Sequence, residues 1–354
     1  MLFNYTYLHK SPVTKLNQNL IFFFRKIKNV NDSANFKPYS NYFHPDFVVQ
    51  LSHSPVLEEK FEAFFNVYKT LSTHEKEKLN ETFYDAQDIR SIIEDNSVDG
   101  NKFKLSNLPK KIRKPVKDLF SFMYPSTLNT DNRLTNHYQD IYSDILKRNL
   151  KVCPFCGIEP LFPPHIRRQD YDHILKQESY PFSTLNMKNL VPMGRDCNEI
   201  FKGRKDVIYD QVSGKRIVFA YPYKRFYQIE IKLDNSKLPD RTNNKNGQWV
   251  INFLPNDSFV QTWQWVFDIK RRYSDMILSL YFDDWLTQFE KSLKKENKKI
   301  RNHSDLIKEF NSCASTYLSQ PLLEFGIIKG ALFKFLANCN DYSFYNAFTK
   351  KINS

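Results

Sequence analysis

Glycine is scarce in this chain, with eight among 354 residues. A phosphate-cradling loop needs closely spaced glycines, and neither GxxxxGK[ST] nor GxGxxG occurs. Nucleotide-binding classes built on such loops are therefore excluded. Long apolar runs are also missing. No run of 18 apolar residues is present, so no membrane span is expected. The stretch LIFFFRKI at 20–27 is too short for a signal core, and its charges lie on the wrong side of it. The chain reads as cytoplasmic. Only five cysteines occur, two of them as CPFC at 153–156. That usage fits a reducing compartment and a metal site better than a disulfide framework.

What is abundant is aromatic and basic. Phe (31) and Tyr (20) supply apolar volume for sizeable cores, and the length allows two or three domains. Lys and Arg number 52 against 39 Asp and Glu, a formal charge of +13. Such a balance favours a polyanionic partner, nucleic acid before an anionic membrane. The plainer alternative is solubility in a Lys- and Asn-rich sequence.

Residues 1–50 show no convincing period and read as an arm or a few short strands. From Ser54 the pattern turns helical. Ser54 stands as N-cap with Pro55 first in the helix, and Leu57, Phe61, Phe64, Phe65 and Tyr68 share one face. Residues 73–95 read as a second helix or a broken pair, and 109–124 and 136–149 as further helices. Over 151–206 the helical period stops, and Pro, Gly and Cys punctuate the chain. Segments 215–223, 227–233 and 249–255 read as strands, with a turn at 243–248. Helices return over 258–282, 304–318 and 321–337.

In the middle region, the Cys153 and Cys156 thiolates can reach one tetrahedral ion, with Gly157 closing the turn. A redox pair or two buried thiols are the alternatives, and Cys197 downstream favours metal. Asp172 and His173 are adjacent, so both serve one site only where a strand bends or ends. A surface His beside a surface Asp is the plain alternative. Cys197 and Asn198 fall in the first turn of an expected helix, and Lys202, Arg204 and Lys205 follow.

The order CPFCG, DH, YP, NLVP, CN and then a basic tail resembles the HNH endonucleases, whose core is a ββα-metal finger. The match covers residues 153–206. It implies such a finger at 151–206, and with the patterns read on either side the chain is expected to be α+β and mostly helical, with an N-terminal helical region (1–150) and a C-terminal region of small antiparallel sheet plus helices (207–354). By the resemblance, His173 is the general base and Asn189 orients it through the backbone. Asp172 and Asn198 would hold a catalytic Mg²⁺ or Mn²⁺, and Cys153, Cys156 and Cys197 three corners of a structural Zn²⁺. Lys202, Arg204 and Lys205 would hold DNA phosphates, although a solvated helix end would carry the same cations. The chain also resembles stand-alone bacterial nucleases of restriction and phage-defence loci. That implies a regulatory protein partner, such as an ATPase of a defence system, and no membrane.

Two departures stand out. The family's fourth cysteine would fall at Gly194. The fourth ligand would then be His165, or Cys313 or Cys339, or a water. Otherwise the cysteines simply pack as small apolar groups. Lys176 replaces the family's proline after DHIL. The function expected is metal-dependent hydrolysis of DNA. The alternatives are a nucleic-acid-binding or adaptor protein with a purely structural finger, or an RNA-directed nuclease.

Overall fold

The computed structural model describes residues 1–51, 54–125, 133–239 and 247–353. Over these residues the chain is α+β and mostly helical, as the sequence implies. Two compact units form. The first joins residues 3–149 to 161–226, and the second joins 150–160 to 227–354.

In the first unit, α1 (Thr14–Ile27), α2 (Pro45–Leu51) and α3 (Pro55–Lys69) are followed by α4 (Thr73–Asp85) and α5 (Ile89–Glu94). Then come α6 (Lys110–Met123) and α7 (Arg133–Lys147). Helix α3 begins at Pro55 and buries Leu57, Phe61, Phe64, Phe65 and Tyr68, the face its spacing predicts. The pair α4 and α5 breaks at residues 86–88, where Asp88 caps the second helix. Helix α1 was not expected. Its buried face of Leu16, Asn17, Leu20, Phe23, Phe24 and Ile27 includes a polar residue and two adjacent phenylalanines, which blur the period.

Aromatic rings fill this core. Phe24 stacks on Phe83 at 3.7 Å, and Phe23 meets Phe61 at 5.0 Å and Phe43 at 5.3 Å. Into the same cluster runs Phe182, from the loop between the two strands of this unit. Its ring lies 5.8 Å from Phe24, 5.5 Å from Phe83 and 5.3 Å from Phe120. The helical region thus anchors that loop. Around Phe182, Ser183 Oγ donates to Ala86 O, and Asn186 Nδ2 donates to Gln87 O.

Strands β1 (Tyr171–His173) and β2 (Leu190–Pro192) form an antiparallel ribbon with Asp172 opposite Val191. A six-residue π-helical turn, Cys197–Lys202, follows. The strand expected at 215–223 is not formed. That run has a single bridge from Arg216 to Tyr209 and ends in a turn at 222–224, and Phe219 N–H donates to Ile93 O instead of to a ladder.

The second unit holds the ribbon of β3 (Glu230–Lys232) and β4 (Asn252–Leu254), with Ile231 opposite Phe253. Helices α8 (Ser258–Val266), α9 (Ile269–Arg271), α10 (Ser279–Lys295), α11 (His303–Ser319), α12 (Gly326–Asn338) and α13 (Tyr342–Asn353) follow. The turn expected at 243–248 lies largely outside the described residues. Phe289, Phe310, Phe333 and Phe348 form this unit's aromatic core. No described helix is long and apolar enough to cross a membrane.

Candidate functional site

The knuckle is built by its own backbone. Cys153 N–H donates to Glu159 O at 2.7 Å, and Gly157 N–H to Cys153 O at 2.8 Å. Gly157 has φ +67°, and a Cβ there would lie 2.5 Å from Leu2 Cδ1, so glycine is required. The N–H groups of Ile158 and Glu159 point at Cys156 Sγ, at 3.4 and 3.5 Å. Such donors favour a thiolate. Residues of α8 and of the π-helical turn Arg272–Leu278 grip the loop from outside. Trp263 Nε1 donates to Phe155 O at 2.6 Å, and Tyr273 OH to Cys156 O at 2.8 Å. Buried Arg272 pairs with Glu159 at 2.9 Å.

Cys153 and Cys156 are buried in one unit, and Cys197 is buried in the other. Two thiol donors two residues apart in one knuckle suit a thiophilic ion such as zinc. His165, the first candidate for a fourth ligand, is exposed, and Cys313 and Cys339 are half-buried. Gly194, where the fourth cysteine would stand, uses its carbonyl to accept Asn198 N–H at 2.9 Å.

Asp172 and His173 sit at the end of β1, and each is fixed by a different neighbour. His173 Nε2 lies 3.0 Å from Thr184 O. A carbonyl only accepts, so Nε2 carries the proton and Nδ1 is left with its lone pair. Tyr124, just past α6, packs its ring edge-on against His173 at 4.7 Å. Burial pushes the imidazole pKa down to about 4, opposed by the bond to Thr184, so the ring is neutral at pH 7.

Asn189 is completely buried and spends its whole amide on backbone. Its Oδ1 accepts Leu175 N–H at 2.8 Å, and its Nδ2 donates to Leu175 O at 3.0 Å and Ser183 O at 3.2 Å. Leu175 lies two residues beyond His173, and Ser183 precedes Thr184. One side chain therefore ties together the two segments that hold the imidazole.

Lys202 corrects an expectation. Placed by sequence among solvated phosphate-holding cations, it is only 2 % exposed. Its Nζ lies 2.8 Å from Asp172 Oδ2 and donates to His173 O at 2.9 Å. Burial raises the Asp172 pKa, and the Lys202 charge opposes that shift. The turn that delivers Lys202 also carries Asn198, which is half-buried and whose carbonyl accepts Gly203 N–H at 2.9 Å. Gly203, at φ +45° and ψ −120°, ends the turn in a conformation open to glycine. Arg204 is exposed and Lys205 half-buried. Lys176, in place of the expected proline, donates to Arg204 O at 3.1 Å and so ties the chain after the turn to the loop after β1.

Sequence reasoning did not find Tyr124, Thr184 or the inward role of Lys202. Thr184 acts through its carbonyl, which any residue has, and Tyr124 lies 49 positions from His173 with no spacing to mark it. Compared with protein-family models, with curated proteins and with solved structures, the chain gives no significant match.

Proposed function

We propose that this chain is a metal-dependent endonuclease that hydrolyses phosphodiester bonds of DNA. The observation that carries the reading is the bond from His173 Nε2 to Thr184 O, which leaves Nδ1 with its lone pair free to take a proton. The sequence order of cysteine knuckle, Asp172–His173, Asn189 and Asn198 supports the same reading. In the proposed reaction, His173 Nδ1 takes the proton of a water as its oxygen attacks phosphorus, and the sugar oxygen leaves. Asp172 and Asn198 offer the oxygen ligands suited to Mg²⁺ or Mn²⁺, and such an ion supplies charge stabilisation to the leaving oxygen. Asn189 keeps the ring in line. Arg204 and Lys205 contribute phosphate contacts that weaken with salt.

A structural zinc at Cys153, Cys156 and Cys197 belongs to the same proposal. The purified protein should carry about one zinc per chain, and Cys153→Ser should lose it and unfold at a lower temperature. Metal analysis beside a thermal melt checks this. A wild-type chain free of zinc, with a melt insensitive to chelator, contradicts it.

Plasmid DNA and RNA incubated side by side with Mg²⁺ or Mn²⁺ test the substrate. The expected result is cut DNA and protection by chelator. Cleavage of RNA alone favours an RNA-directed nuclease, and cleavage of neither favours a nucleic-acid-binding protein with a structural finger.

A further inference from the structure

A carboxylate meant for a divalent ion here already holds a cation. Lys202 Nζ touches both Asp172 Oδ2 and His173 O, and the lysine is as well buried as the hydrophobic core. Two acceptors from one strand end fix the ammonium at the place where the charge of Asp172 is directed.

Building on the nuclease reading, we propose that Lys202 is the resident counter-cation of Asp172. It keeps divalent-ion uptake by the free protein weak, so that the ion binds tightly only together with a phosphate. The physical basis is Coulombic. An ion arriving at Asp172 meets the carboxylate and, within a few ångströms of it, a positive charge of its own sign. Inside a protein this repulsion is screened far less than in water. A DNA phosphate adds negative charge at the same place and tips the balance. Metal uptake then follows substrate binding, and a free chain stays largely unloaded. Lys202 acts through Asp172 and is a positioning residue.

The alternative is a purely packing role, in which Lys202 only joins the helical turn to β1. The two roles separate by charge. Lys202→Arg keeps the positive charge, whereas Lys202→Met and Lys202→Gln remove it while keeping length.

The test is Mn²⁺ binding to the full chain, read by the free-ion paramagnetic resonance signal. Wild type, Lys202→Met, Lys202→Gln, Lys202→Arg and Asp172→Asn are compared, each checked by near-ultraviolet dichroism. Removing the charge should tighten Mn²⁺ binding about tenfold or more in the absence of DNA. Lys202→Arg should stay near wild type, and a short duplex should tighten the wild type. Equal or weaker binding by the folded Met or Gln variant overturns the role of Lys202. If Asp172→Asn loses Mn²⁺ while the Met and Gln variants gain nothing, this inference fails and the metal site stands. Should Asp172→Asn bind Mn²⁺ as the wild type does, or should no variant bind it, the nuclease reading fails as well.

Discussion

His173→Ala should slow plasmid nicking by about 100- to 10,000-fold, the range that a positioned general base supplies. The effect rests on one nitrogen. Thr184 O fixes the proton on Nε2, so Nδ1 is the only ring atom left to accept from water. Alanine removes the acceptor and leaves a ring-sized gap under Tyr124. Free imidazole at high concentration should fill that gap and recover part of the rate. Recovery by imidazole would not follow if His173 were merely packing. The fold should hold, because the Asn189 bonds and the Phe182 anchor do not involve the imidazole. A melt within a few degrees of wild type alongside the lost rate is the expected pairing.

Asn189→Ala should lose both stability and rate. The side chain is buried with three hydrogen bonds, to Leu175 N–H, Leu175 O and Ser183 O. Alanine leaves those backbone groups unpaired in a dry site. At about 1–3 kcal/mol for an unsatisfied buried group, a loss of about 3 kcal/mol is expected in urea unfolding. The rate should fall further than the stability loss explains, since a shift of about 1 Å in a reacting group can cost about 100-fold. Asn189→Asp is a sharper variant. It keeps the volume and the Oδ1 acceptor, but sets a carboxylate oxygen against the carbonyls of Leu175 and Ser183. It should therefore be no better than alanine. Wild-type stability in Asn189→Asp would show that the Nδ2 bonds contribute little.

How much of this was readable beforehand depends on the range of the interactions. Helix α3 was legible because Pro55 and a repeating apolar face are local signals, and all five face residues are buried. The knuckle at Cys153 and Cys156 was legible because two cysteines and a following glycine are a local signal, and Gly157 closes the turn at φ +67°. Helix α1 was not, because its consecutive phenylalanines mask the period. The run 215–223 looks like a strand by composition, yet its backbone pairs with helix α5 and single residues. Lys202 was misplaced for a similar reason. A lysine at the end of a basic turn suits solvent, and only the approach of Asp172 from 30 positions away turns it inward.

The most direct measurement is conversion of supercoiled plasmid by wild type and His173→Ala, each with Mg²⁺ or Mn²⁺ and with chelator. A general-base nuclease predicts nicking by the wild type with metal alone, and an almost inert alanine variant of unchanged fold. Equal behaviour of the two proteins, whether both cut or both are silent, would contradict it.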